Sequence, residues 1–230
     1  MRDSTSRVGI VGPGLGILVL LIMGALLLMA AAPVPAHGQE PRLAGRIPDA
    51  ARAQVDAILD AARASGLPAE PLVDRALEGS AKGASPGLIV AAVTRLRDEL
   101  LVVRSTFGAS ASPAELAAGA SALRAGARSR DLAELRKLRP GQPLTVAAAV
   151  LADLVAAGVP ADTAVGAVLV MASDAGDADY VAFRRNVQRD IMLGASPAAA
   201  LGVRLRSATN LADAPGNETT ATGGRRKQKP

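Results

Sequence analysis

The chain has 230 residues, of which half are apolar but only three are aromatic. It contains no cysteine, which excludes disulfides, thiolate metal sites and cysteine nucleophiles. The formal charge is +5, and four of the positive charges lie close together on Arg225, Arg226, Lys227 and Lys229. The rest of the chain is therefore close to neutral, which argues against a nucleic-acid-binding domain.

The N-terminal segment predicts export. Arg2 and Arg7 precede a charge-free stretch that runs from Val8 to Ala36 and is rich in Leu, Ile, Met and Ala. A positive lead followed by an apolar run is typical of a signal peptide. Val34 and Ala36 satisfy the small-x-small rule for cleavage, so we expect cleavage after Ala36, with Gly38 as the second choice.

An uncleaved anchor is the alternative for this segment. The charge-free stretch is long enough to cross about 30 Å of hydrocarbon as a helix, although Gly12-Pro13-Gly14 interrupts its first part. Either alternative places the remaining chain outside the cytoplasm, as a periplasmic or secreted domain or an anchored one. We therefore divide the chain into a signal peptide, a linker, an all-helical domain and a disordered basic tail, at residues 1–36, 37–45, 46–207 and 208–230.

From Arg46 onward, apolar residues recur at steps of three and four, which indicates helices with one buried face. Gly-x-Pro and Ser-Pro sequences separate these segments, because Gly suits the end of a helix and Pro its first turn. The predicted helices are 47–65, 68–81, 86–107, 113–125, 131–139, 144–157, 160–173, 178–193 and 197–206.

Three helix starts also have an acidic or hydroxyl cap. Ser112 and Glu115 have the spacing of a capping box, Asp131 and Glu134 repeat it, and Asp177 is expected to cap the helix that follows. No segment alternates apolar and polar residues, so no sheet is expected. The prediction is an all-α single domain of about eight to nine short to medium helices, packed as an antiparallel bundle or as stacked helix hairpins.

Two stretches of the chain resemble each other. Residues 66–99 and 158–191 align without a gap and share several residues, including Gly66 with Gly158 and Val73 with Val165. This match suggests a duplicated helix hairpin, although helix punctuation alone could produce it. A true duplication would favour a stacked array, a type of fold that commonly binds proteins along an open face.

The residues that could take part in catalysis or metal binding have simpler explanations in their position or in ion pairing. The single histidine, His37, lies beside the expected cleavage site, which argues against a histidine triad or a histidine metal ligand. The run Asp174–Asp179 contains three carboxylates, but their order does not match an EF-hand. Asp56 and Asp60 lie one helical turn apart with arginines nearby, which favours an exposed ion-paired face. We therefore predict no catalytic, cofactor or metal site.

One segment is strongly basic. Its cations are Arg124, Arg128, Arg130, Arg136, Lys137 and Arg139. Together with the basic residues of segment 224–230, they could contact anionic lipid or another polyanion. The alternative is an ordinary solvated helical face. Nucleic acid is not expected as a partner, because no aromatic side chains are interleaved with the cations.

The sequence thus predicts an exported, non-enzymatic helical protein that acts as an interaction or scaffold module for a protein of the cell envelope. The first alternative is a binder of anionic lipid or polyanion through segments 124–139 and 224–230. The second is a carboxylate-dependent cell-wall enzyme, since glycosidases work with two carboxylates. The scarcity of aromatic side chains argues against this enzyme. The oligomeric state stays open.

Overall fold

The structure is a computed structural model that describes the backbone of residues 40–212 and the side chains of residues 40–208. A short 3-10 helix, Pro41–Leu43, precedes nine α-helices in this part of the chain. They are α1 (Asp49–Ala64), α2 (Glu70–Ala81), α3 (Pro86–Phe107), α4 (Pro113–Ala125), α5 (Ser129–Leu138), α6 (Thr145–Ala156), α7 (Ala161–Met171), α8 (Asp177–Met192) and α9 (Pro197–Ala212). Residues 40–212 contain no strand, so the all-α prediction is confirmed.

Most helix bounds follow from local signals in the sequence. The predicted bounds of α3 and α4 are confirmed, and Ser112 and Glu115 form the predicted capping box. Five α-helices end in the same way, with a glycine of positive φ followed by a residue whose N–H bonds back into the helix: Gly66, Gly83, Gly126, Gly158 and Gly194. This arrangement satisfies carbonyls at the helix end and reverses the chain within a few residues.

The predicted caps of α5 and α8 are wrong in position. The α5 helix begins at Ser129, and the Asp131 carboxylate accepts the Arg128 N–H at 2.9 Å from inside the first turn. Asp179 accepts the Gly176 N–H at 2.9 Å in the same way at the start of α8. Each acid is the third residue of its helix, and its carboxylate accepts the backbone N–H of the N-cap residue. This hydrogen bond is one half of a capping box.

The last helix is longer than predicted. It continues to Ala212, past the end predicted near Arg206. The sequence offers no reason to stop earlier, because neither glycine nor proline occurs between Val203 and Pro215. The predicted signal peptide, its cleavage at Ala36 and the basic residues Arg225, Arg226, Lys227 and Lys229 lie outside the described residues.

Helices α4 and α6 form the most extensive contact, and they run parallel. At their N-terminal ends, the Glu115 carboxylate accepts the Leu144 N–H at 3.0 Å. At their C-terminal ends, a Cβ built on Gly126 would lie 3.1 Å from the Cβ of Ala161. The short α5 connects them in the opposite direction, since Arg128 before its start pairs with Asp162 of α7 and Arg136 near its end pairs with Glu115 of α4.

The helices stack in chain order and do not close into a ring. Within residues 40–212, α3 packs on α1, α2, α4 and α5, and α6 packs on α4, α7 and α8. The α9 helix then packs on α7 and α8, while none of these extensive contacts joins α1–α3 to α6–α9. The prediction of a single all-α domain is confirmed, and several extensive contacts join helices that are two apart in the chain, such as α4 with α6.

The predicted duplication of a helix hairpin is seen only in the turn and the first helix of each segment. Gly66 and Gly158 both end a helix with positive φ, and Val73 and Val165 are both buried. In the second helix the buried faces differ: Leu88 is 65% exposed, whereas the aligned Tyr180 is 0% exposed. The α2 helix packs extensively on α3, but α7 and α8 make no comparable contact. The two segments therefore share a turn and a first helix but not a common packing unit.

The core depends on small side chains and close helix approach. Leu, Val and Ala supply most of it, and the three aromatic residues, Phe107, Tyr180 and Phe183, are all buried. A Cβ built on Gly119 would lie 2.5 Å from Val103 Cγ1, so α3 and α4 touch through this glycine. Among residues 40–212, no helix combines the length and apolarity needed to cross a membrane.

Candidate functional site

A buried carboxylate joins three helices at the N-terminal end of α4. The Glu115 side chain accepts hydrogen bonds from the Ser112 N–H at 2.9 Å, the Leu144 N–H at 3.0 Å and Arg136 at 2.8 Å. The Ser112 hydroxyl lies 3.0 Å from the same carboxylate. Burial alone would raise the pKa of Glu115, but these hydrogen bonds outweigh it, so the pKa is lowered. Glu115 is therefore a structural anion.

Two arginines of the basic segment are bonded within the fold, Arg136 partly buried and Arg139 buried. Arg136 lies over the Phe107 ring at 5.6 Å in addition to its bond with Glu115. Arg139 is 2% exposed, donates to the Ala175 carbonyl at 2.5 Å and pairs with Asp177 at 3.2 Å. Because both guanidinium groups are occupied in the fold, neither belongs to a solvent-exposed basic surface.

Tyr180 completes the cluster around Arg139. The guanidinium carbon lies 5.3 Å from the centre of its ring, and the Tyr180 hydroxyl donates to the Val168 carbonyl at 2.9 Å. Burial raises the pKa of Tyr180 to about 12, although the nearby Arg139 acts in the opposite direction. The tyrosine is thus a neutral packing residue that holds α8 against α7.

The other four cations of the segment have acidic neighbours. Arg124 pairs with Glu99 at 3.0 Å, and Lys137 pairs with Glu134 at 3.1 Å. Arg128 pairs with both Asp131 and Asp162, at 3.0 Å and 3.2 Å, and Arg130 lies 3.7 Å from Asp131. The segment is therefore a set of ion-paired positions, and of these six cations Arg130 and Lys137 are the most exposed.

The predicted ion pairs on α1 are confirmed. Arg52 pairs with Asp56 at 2.8 Å, and Arg63 pairs with Asp60 at 3.1 Å. The predicted exposure of this face is wrong for Asp56, which is buried. The backbone at Glu40 covers it, since the Glu40 N–H donates to Asp56 at 3.3 Å and the Glu40 carbonyl accepts from Arg52 at 2.7 Å.

The acidic run at the start of α8 is used within the fold. Asp177 pairs with Arg139, and Asp179 accepts the Gly176 N–H. Within residues 40–212, no group of histidine, cysteine or acidic side chains is arranged to hold a metal ion.

A groove of about 510 Å³ lies between α7, α8 and α9, and we name it the α7–α9 groove. Its apolar lining consists of Val170, Met171, Ala175, Ala182, Phe183 and Ala208, and its polar lining of Asp174, Asp179, Asn186, Arg204 and Ser207. Val170 is 54% exposed although it belongs to an apolar helix. Sequence reasoning missed this site, and the signal for it is the absence of polar side chains from α7 after Asp162 and Thr163.

The polar side chains hold the walls of the groove in place. Arg204 of α9 donates twice to the Asp190 carboxylate of α8, at 2.6 Å and 2.7 Å. This hydrogen bonding lowers the pKa of Asp190 and raises that of Arg204. The two-point pair fixes α9 against α8 along one wall, so the groove is preformed along this side.

No protein-family model, no curated protein and no solved structure matches this chain.

Proposed function

We propose that the chain is an exported, non-enzymatic helical module that binds a protein of the cell envelope through the α7–α9 groove. The observation that carries the proposal is the apolar lining of this groove, in which Val170 is exposed to solvent. Binding sites are typically concave and mostly apolar, with a few placed polar groups. Export is part of the proposal because Arg2, Arg7 and the apolar run that follows have the pattern of a signal peptide.

The form of the groove favours a helical segment as its occupant. It lies between three helices and opens to solvent, as the grooves that accept amphipathic helices do. An occupant of this kind would place apolar side chains over Val170 and Phe183 and polar ones beside Asn186 and Ser207. Affinity would come from apolar burial, and orientation from the polar rim.

The two alternatives have less support. An enzyme needs an activated nucleophile or a tuned acid and base, whereas Asp179 caps a helix and Arg204 is engaged by Asp190. A polyanion site at 124–139 needs free cations, but Arg136 and Arg139 are engaged inside the fold. Segment 224–230 lies outside the described residues and adds no structural support.

Site-specific photo-crosslinking in the cells that make the protein tests the proposal. A photoreactive residue placed at Val170 should form a discrete adduct with one exported protein, identified by mass spectrometry. The matched control is the same residue at Val181, an exposed valine on α8 that does not line the groove. The proposal fails if Val170 gives no adduct, or if both positions give the same adducts.

A further inference from the structure

Two large apolar side chains project into solvent where α8 ends. Met192 is 86% exposed and Leu193 is 80% exposed, more than any other large hydrophobic residue in the described part of the chain. They directly precede Gly194, whose positive φ of 100° turns the chain into α9. A single exposed apolar residue needs no explanation, but an adjacent pair at the tip of a turn is a candidate contact surface.

Cations lie on the same side of α8. Arg189 and Arg185 are exposed, and they precede the apolar pair by one and two helical turns. Helical residues four positions apart share a face, so these side chains form a basic stripe that leads to Leu193. Arg189 also donates to the Asn186 side chain one turn earlier. Arg184 pairs with Asp153, and Asp190 pairs with Arg204.

Neighbouring turns bring further cations to the same end of the molecule. A Cβ built on Gly158 would lie 3.2 Å from Pro197, which places the α6–α7 turn beside the α8–α9 turn. Arg128 bridges to Asp162 at 3.2 Å, which adds the start of α5. Arg130 belongs to this start; it lies 3.7 Å from Asp131, but its side chain is 72% exposed. We call this assembly of the three turns the turn end.

We propose that the turn end docks onto an anionic lipid surface, with Met192 and Leu193 inserted at the headgroup boundary and Arg130, Arg185 and Arg189 over the lipid charges. Apolar tips surrounded by cations suit such a surface, because insertion and electrostatic attraction act together. A protein partner would instead offer a shaped apolar pocket, and nothing about the basic stripe requires one. The α7–α9 groove is a separate site, lined largely by residues near the other end of α8, so docking at the turn end would leave it accessible.

Environment-sensitive fluorescence on the full chain tests this proposal. The chain has no cysteine, so Leu193→Cys carries a single label at the turn end, and Leu101→Cys, an exposed leucine in the middle of α3, carries the matched control. Each labelled protein is mixed with vesicles of phosphatidylcholine alone or of phosphatidylcholine with phosphatidylglycerol. A site-specific label reports its own surroundings, whatever other part of the chain touches lipid.

We expect the label at position 193 to shift its emission to the blue with the anionic vesicles and to be quenched by spin-labelled lipid, while the label at position 101 does neither. High salt should reverse the shift. Replacing Arg185 or Arg189 by Gln should weaken the interaction by about fivefold for each arginine removed.

Four outcomes would overturn the proposal. The label at position 193 could stay in water with anionic vesicles, or it could respond equally to neutral vesicles, which would remove the role of charge. Both labels could respond alike, which would indicate general adsorption. A blue shift that depends on protein concentration without vesicles would show that a second copy of the chain covers the apolar pair. None of these outcomes bears on partner binding in the groove, which is read at Val170.

Discussion

One buried charge fixes how α4, α5 and α6 pack together. Glu115 satisfies the backbone at the start of α4, the backbone before α6 and the side chain of Arg136 on α5. An apolar residue could fill the same space but would leave these donors unpaired, and an unpaired buried donor costs about 1–3 kcal/mol. Glu115 therefore sets the register of three helices.

Replacing Glu115 by Gln should lower the free energy of unfolding by about 2 kcal/mol at neutral pH, because a bond to a charged group is lost. The pKa of Glu115 is lowered in the folded protein, so the unfolded chain binds the proton more readily. The stabilisation is complete above the ordinary glutamate pKa of about 4.3 and disappears as pH falls through the lower folded value.

Chemical denaturation across the acidic range measures this effect. Wild-type stability should fall more steeply with decreasing pH than that of Glu115→Gln. Glu134→Gln is the control, because Glu134 is a half-exposed partner of Lys137 and its loss should change stability by less than about 1 kcal/mol. Equal slopes for wild type and Glu115→Gln would show that the buried carboxylate is not the origin of the acid sensitivity.

The sequence could predict which residues are charged but not which of them are buried. Glu115 was predicted as a cap, and it is one. Its further bonds to Arg136 and Leu144 depend on α5 and α6, which come later in the chain. Arg139 was predicted among solvent-exposed cations, but it follows the end of α5 at the point where the α7–α8 turn covers it. Such burial depends on tertiary neighbours, which local spacing does not contain.

At the scale of elements, helix ends were predictable because their signals are local. Proline in the first turn and glycine after the last turn act within a few residues, and they fixed the bounds of α3 and α4. Which face of a helix is buried was less predictable. In α3, Leu88 and Ile89 both fit the apolar pattern, yet Leu88 is exposed and Ile89 is buried. The choice depends on where α2 and α4 pack.

The close approach of α3 and α4 yields a prediction about two glycines. Gly119→Ala should destabilise the protein by about 1–3 kcal/mol, because the new methyl group would lie 2.5 Å from Val103 Cγ1. Gly166→Ala is the matched control. This glycine is exposed within α7 with no atom within 4 Å of a built Cβ, so alanine should stabilise the helix by up to about 1 kcal/mol.

Thermal or denaturant unfolding of the two variants measures this difference. If both glycines tolerate alanine equally well, the two helices do not meet through Gly119, and the packing of α3 on α4 is different from the one described.

At the scale of the whole molecule, the α7–α9 groove was not predictable from sequence. Its lining comes from three helices whose spacing depends on side chains elsewhere, including the Arg204–Asp190 pair. The sequence predicted an antiparallel bundle or stacked helix hairpins and could not choose between them. The extensive contacts of α4 with α6 and of α6 with α8 join helices that are two apart in the chain, which local spacing does not encode.

Export is a prediction about the whole chain. The protein expressed with its N-terminal segment in a bacterial host should yield a soluble, processed species whose mass corresponds to a start at His37 or Gln39. Cell fractionation and intact mass measure this. A full-length species in the membrane fraction would instead identify the segment as an anchor.

The most direct test of partner binding in the α7–α9 groove uses the partner that is crosslinked at Val170. Its affinity is measured for a variant in which a larger side chain fills the groove. Ala182 lines the groove, so Ala182→Phe places a ring where the partner's apolar side chains are expected. Ala57→Phe, at an exposed alanine of α1, is the matched control. We predict at least about tenfold weaker binding, or 1.4 kcal/mol, for Ala182→Phe alone. Equal affinities of wild type and both variants would contradict binding through this groove.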